Sequence, residues 1–484
     1  MKRLAIALVT MLITACSSPY SQSGTMLVPQ QHWARHRHSG SSPITHIVVI
    51  MQENRSFDNF FRGFPKADSA TFGYGHGTKY TLQELPLKWT HEINHYHYEF
   101  LEDYDGGKND GFDRLINGYT SGCKYLPWDW VNHPSCWSWA LGKSSAKMAY
   151  SYVKKSDIQP YWTMAAQYTL GDHNFASTNG PSFGPHQELI AGQDGHASEV
   201  PSKMPWGCDA PKEDEYYLEY GPDDQNDFPP PVGHEVYAIP GNVCFSYPTV
   251  ASLLDNASVS WRCYKQPKYI NGQPQDSYWL DAFDAIQAVR YGPDYRNVVT
   301  PDNKVLTDVT NGNLAQVSWV MPHGGASDHP GGGSGDCGPA WVTAIVNAIG
   351  QSKYWNTTAI IVTWDEWGGW FDHVLPPQYP NPQTQALEGL GYRTPLIIVS
   401  PYAKTHYVSK KRHETASALH FIEKTFGMPF LGFGSQQKYD DQRADAYEDA
   451  FNFSQNPTPF KMIPTPPNYQ TCMSQSNPPP EIDY

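Results

Sequence analysis

The chain has 484 residues, 17% of them charged and 14% aromatic, with a formal net charge of −14. That composition excludes an intrinsically disordered chain and leaves ample material for a large buried core. The acidic balance excludes a general attraction for nucleic acid or an anionic membrane face, so an anionic substrate would need a local reversal of the field, such as a bound metal ion.

In chain order, residues 1–15 read as an export signal. Lys2 and Arg3 form a basic start, and Leu4 to Ile13 an apolar run too short to span a membrane. The run closes in Ile13-Thr14-Ala15-Cys16, a lipobox-like ending. Cys16 is then the lipid-bearing first residue of an exported envelope protein that meets the membrane only through its anchor. Residues 16–42 read as a polar linker, residues 43–453 as the catalytic domain, and the Pro-rich stretch 454–484 as an extended wrap or loose end. Seven cysteines follow Cys16 with no CxxC pair. In an oxidising compartment, Cys123–Cys136 and Cys208–Cys244 are the natural local pairs, and an odd count leaves one cysteine over.

The domain opens on Thr45-His46-Ile47-Val48-Val49-Ile50-Met51, which predicts a strand buried on both faces. Ala359 to Trp364 and Pro395 to Ser400 predict two more such strands. Helical patterns cover Tyr161 to Tyr168, Ala340 to Ile349 and Thr415 to Phe426. Buried strands alternating with amphipathic helices predict an α/β fold on a mostly parallel sheet. Residues 203–302, rich in Pro, Gly, Tyr and Asp, read as a loop-rich insertion or cap.

Two of these strands end in acids: Glu53-Asn54 after the first and Asp365-Glu366 after the second. Ligands of open parallel sheets sit at the carboxyl ends of strands, and three carboxylates with an amide oxygen suit one hard divalent cation, calcium, magnesium, manganese or iron. Ser182, in Gly180-Pro181-Ser182-Phe183-Gly184-Pro185-His186, precedes a short helical run from Gln187 to Ala191. A serine there can merely cap the helix, or it can be a nucleophile facing an anion at the helix N-terminus. His95, His329 and His373 are the imidazoles placed to donate to a phosphate or to its leaving group. His91-Glu92-Ile93-Asn94-His95 matches the HExxH zinc-protease pattern, which requires a helix to bring both imidazoles to one face.

Four blocks together resemble the bacterial phosphoesterases that include phospholipases C and acid phosphatases, in the alkaline-phosphatase-like superfamily. They are His46 to Asp58, Gly180 to His186, Trp364 to His373 and Arg393 to Pro401, supported by Ser327 to Pro330 and Gly106 to Phe112. The resemblance implies a doubly wound, mostly parallel α/β sheet. It implies that Ser182 becomes phosphorylated, that Glu53, Asn54, Asp365, Glu366 and Ser182 face one divalent metal ion, and that His95, His329 and His373 surround the phosphoryl group. The commoner family loop reads Gly-Pro-Ser-Thr-Pro-Asn-His, and here Phe183-Gly184-Pro185 stands at its centre. The implied activity is hydrolysis of a phosphate monoester or a phospholipid, with His329 or His373 protonating the leaving oxygen. The rivals are a zinc protease using the HExxH segment and an inactive surface-binding lipoprotein.

Overall fold

The computed structural model describes residues 42–89, 92–115, 147–201, 205–210, 215–220, 235–240, 243–266, 268–270, 273–275, 282–331, 336–380, 387–432 and 439–474. The expected export signal, the expected lipidation at Cys16, the expected linker up to residue 41, His91 and the expected Cys123–Cys136 pairing lie outside the described residues. No helix among the described residues is long and apolar enough to cross a membrane.

The centre is an eight-stranded sheet. Its strands are β1 (His46–Gln52), β2 (Thr169–Gly171), β3 (Trp261–Tyr264), β4 (Val298–Val299), β5 (Val317–Val320), β6 (Thr358–Trp364), β7 (Leu396–Val399) and β8 (Tyr407–Ser409). They lie side by side in the order β4-β3-β5-β1-β6-β7-β2-β8. Five neighbouring pairs are parallel, and β7 alone runs against both its neighbours. The expected mostly parallel α/β sheet is therefore observed. Every residue of β6 is buried, and so are six of seven in β1, with no in–out alternation. Such strands need cover on both faces, which is why they read as unbroken apolar runs. Among the helices are α1 (Phe57–Phe61), α2 (His97–Tyr104), α3 (Gln159–Gln167), α4 (Phe183–Ala191), α5 (Gly338–Gly350) and α6 (Ala416–Phe426), of which α3, α4, α5 and α6 fall on the predicted helical patterns.

Two stretches take a definite place in the fold. Within 203–302, residues 250–302 supply β3, β4 and the helix Val250–Asn256 to the core. Those strands have four and two residues, too short for a periodic signal. The tail is a wrap rather than a loose end as far as residue 474. Asn347 on α5 exchanges two hydrogen bonds with the Ile463 backbone, both 2.9 Å, Trp355 Nε1 donates to Thr458 O, and Cys472 is bonded to Cys337 at the start of α5. Cys208–Cys244 forms as expected, and Cys263 is buried in β3.

Candidate functional site

The register of β1 on β6 builds the site. Gln52 pairs with Trp364, so the next residues, Glu53 and Asp365, emerge side by side at the carboxyl edge of the sheet. Hydrogen bonds carry the pairing past the strands: Asp365 N–H donates to Gln52 O (3.0 Å), Asn54 N–H to Asp365 Oδ1 (2.8 Å), and Arg55 N–H to Glu366 O (3.0 Å). Glu366 N–H also donates to Asp365 Oδ1, at 2.7 Å. Asn54 adopts the left-handed region (φ 54°), one of the few settings in which an asparagine is tolerated there. Gly368 (φ +63°) crosses directly over it: a Cβ at Gly368 would stand 2.5 Å from Asn54 O. A third neighbour, β5, leads into Ser327-Asp328-His329, and Glu53 N–H donates to Ser327 O at 2.8 Å. Three adjacent strand ends thus deliver Glu53-Asn54, Asp365-Glu366 and His329 to one edge.

Ser182 stands at the start of α4, in helical conformation (φ −44°, ψ −33°), and its side chain does not cap the helix. The Oγ is buried and has no hydrogen-bond partner among the described residues. That is not the behaviour of a capping serine. The helix end is less generous to an anion than expected, because Gly184 N–H already donates to Pro181 O (3.2 Å) and Pro185 has no N–H to offer. One turn on from Ser182, His186 points its Nε2 at Glu53 Oε1 (3.2 Å) and lies 4.0 Å from Asp365 Oδ2. Donor atoms of Glu53, His186 and Asp365 all fall within 4.8 Å of one another, and all three residues are buried. From sequence His186 is only the last residue of the serine block, with no role of its own. The available signal was its spacing of four from Ser182, which puts both on one helix face.

The polar atoms around this point fit a cation. Asn54 Nδ2 lies 2.9 Å from His95 Nε2, and His95 Nδ1–H donates to Ile93 O (2.7 Å). That arrangement leaves Asn54 Oδ1 with no hydrogen-bond partner among the described residues, and Asp365 Oδ2 has no donor among them either. Burial, and then the Glu53 carboxylate beside it, push the Asp365 carboxyl well above the usual carboxylate range. Two buried carboxylates pressed together are costly without positive charge between them. Glu53, Asn54 and Asp365 are therefore the groups that would hold a divalent metal, with Ser182 at the start of the helix that carries His186. Glu366 Oε1 lies 3.2 Å from His95 Nε2, and its Oε2 accepts from Gly368 N–H.

The three sequence-chosen histidines separate. His95 and His329 are neighbours, with ring centroids 6.5 Å apart. His329 Nδ1–H donates to Pro330 O, which turns Nε2 toward Glu92 Oε1 at 3.6 Å. Asp328, beside it, accepts from Tyr161 O–H (2.7 Å), and Gln52 Nε2 donates to the same phenol (3.0 Å), tying the His329 loop to the end of β1. His373 is held elsewhere. Its Nδ1 lies 2.6 Å from Asp58 Oδ2 and its Nε2 3.1 Å from Asp68 Oδ1. Behind it, buried Arg393 forks onto Asp372 at 2.8 and 3.1 Å. Glu92, unassigned from sequence except as part of HExxH, lies between His95 and His329. The described part of that motif, Glu92 to His95, is not helical. The helix begins only at His97, with Tyr96 N–H donating back to Glu99 Oε2 (3.1 Å). The segment therefore does not meet the helical requirement of a zinc protease.

Phe183, the first departure from the common serine loop, is buried against Tyr96, Trp206 and Val243, with the Phe245 ring 6.1 Å away. The Cys208–Cys244 bridge closes the two strands of chain that carry Trp206 and Phe245. The substitution thus seats the start of 203–302 next to the serine.

Comparison with known proteins follows the same lines. Residues 44–429 match the Phosphoesterase family model. The non-hemolytic phospholipase C of Burkholderia pseudomallei is 25% identical over 437 residues, covering 79% of this chain and 55% of that protein. The non-hemolytic phospholipase C of Pseudomonas aeruginosa is 24% identical, covering 96% and 64%. Phospholipase C A of Mycobacterium tuberculosis is 25% identical, covering 86% and 78%. The chain thus spans between about half and two-thirds of the length of the first two relatives. Among solved structures, a protein of the alkaline phosphatase superfamily from Vibrio parahaemolyticus aligns with a TM-score of 0.32 at 10% identity, covering 81% of this chain and 69% of that one. With four-fifths of its length inside the matched region, this chain belongs to the Phosphoesterase family.

Proposed function

We propose that this protein hydrolyses phosphoric esters in two steps through a phosphoserine on Ser182. The observation that carries the reading is the buried, non-capping Ser182 one helical turn from an imidazole that meets Glu53 and Asp365. Glu53, Asn54, Asp365 and Ser182 would hold a divalent metal, which when bound lowers the pKa of the serine hydroxyl and offsets charge on the phosphoryl oxygens. The Ser182 oxygen attacks phosphorus in line with the departing alcohol, the phosphorus–oxygen bond to that alcohol breaks, and water later frees the phosphate from the serine. His329 protonates the departing oxygen, with Glu92 facing its Nε2. His95, fixed by Ile93 and Asn54, orients the strand-end amide. His373 is a poor proton donor near neutrality, because Asp58 raises its pKa.

The similarity to phospholipases C favours a phospholipid diester over a simple monoester as the substrate of this chain. Export and attachment through Cys16 complete the proposal: a lipid-anchored hydrolase of the cell envelope. The test is turnover of p-nitrophenyl phosphorylcholine and p-nitrophenyl phosphate by wild type and Ser182→Ala, with chelation and metal add-back. Metal-dependent cleavage of the choline diester, lost by about 10³-fold or more in Ser182→Ala, is the expected result. Cleavage of the monoester alone would make this a phosphatase instead. Near wild-type turnover by Ser182→Ala would refute the covalent scheme.

A further inference from the structure

The strand-end acids alone describe an all-oxygen site. The tertiary structure adds an imidazole. His186 comes from α4, every residue of which is buried, so the ring is delivered by a rigid element rather than a loop. Around one small divalent ion with ligands at about 2.1 Å, adjacent donor atoms lie about 3.0 Å apart and opposite ones about 4.2 Å. His186 Nε2 stands 3.2 Å from Glu53 Oε1 and 4.0 Å from Asp365 Oδ2, the spacings of one adjacent and one opposite ligand pair.

Resting on the metal-dependent reading above, we infer that His186 Nε2 is a nitrogen ligand of the cation. Imidazole favours later, softer divalent ions, whereas magnesium and calcium take oxygen. The centre therefore selects a borderline ion such as zinc or iron(II) over magnesium and calcium, against the oxygen-only set expected from sequence.

The experiment uses the full chain stripped of metal and reloaded with manganese(II) as a paramagnetic probe. Electron spin-echo spectroscopy of the bound ion reads directly coupled nitrogen. The expected result is nitrogen coupling in wild type that disappears in His186→Gln while manganese remains bound, together with at least a tenfold fall in the preference for zinc over magnesium in competition titrations. His186→Asn serves as the second variant should the first not fold. Bound manganese without nitrogen coupling in wild type would overturn the inference and make His186 an imidazolium partner of Glu53. Coupling that survives in the variants would overturn it in favour of His95. Failure of wild type to bind manganese, or binding indifferent to Glu53→Gln, would overturn the metal-dependent reading itself and this inference with it.

Discussion

His373 makes a stability prediction that can be worked from its surroundings. Burial pulls its pKa down, but the hydrogen bond and charge of Asp58 outweigh burial, aided by Asp372 and opposed by Arg393, and raise it from 6.5 to about 9. Asp68, at 3.1 Å, faces the other ring nitrogen. At about 1.36 kcal/mol per pKa unit, that rise corresponds to about 3.4 kcal/mol of native-state preference for the imidazolium. The side chain is 27% exposed, and solvent screening brings the working figure to about 2 kcal/mol. Because the folded pKa is the raised one, this stability is fully present below about pH 6.5 and is lost as pH rises through about 9. His373→Gln removes the charge and keeps a hydrogen-bonding group. Urea unfolding of both proteins at pH 6 and pH 10 should show a wild-type advantage about 2 kcal/mol larger at pH 6 than at pH 10. An advantage of equal size at both pH values would refute the reasoning, since the ring would then act through packing rather than charge.

Other outcomes follow from the same geometry. Gly368→Ala places a Cβ 2.5 Å from Asn54 O at φ +63°, so it should cost more than about 2 kcal/mol in a denaturant titration and weaken metal binding measured by calorimetry. Burial, and then Asp441, hold the Glu423 carboxyl up at about 10. Its contribution is present below the ordinary carboxyl range and fades as pH rises toward 10, so Glu423→Gln should flatten the fall in Tm between pH 6 and pH 10. The Cys337–Cys472 bridge spans 135 residues of chain, and replacing both cysteines by serine should lower stability by about 2–5 kcal/mol, with the tail cleaved first in limited proteolysis.

Local features are legible in the order of residues. β1 and β6 are legible because each is an unbroken β-branched apolar run, and the acids that follow each run must fall at a strand end. Ser182 is legible because Gly-Pro before it and a short apolar helix after it mark a helix start. The tertiary structure alone decided what depends on residues far apart in the chain. The β1–β6 register brings Glu53 against Asp365, over 300 residues away. No pattern within either segment specifies that shift of strand on strand, which is selected by packing of both sheet faces. The packing of α4 against that edge turns His186 from a residue of the serine block into a neighbour of both acids. The antiparallel direction of β7 was likewise invisible, because a strand buried on both faces reads the same whichever way it runs. It brings Arg393, at the amino end of β7, to the same edge as the carboxyl ends of its neighbours, where the buried Asp372 captures it and His373 is drawn to Asp58. The three histidines are alike in sequence, and only the carboxylates that the fold sets beside each one distinguish them: Asp58 and Asp68 at His373, Glu92 at His329 and Glu366 at His95.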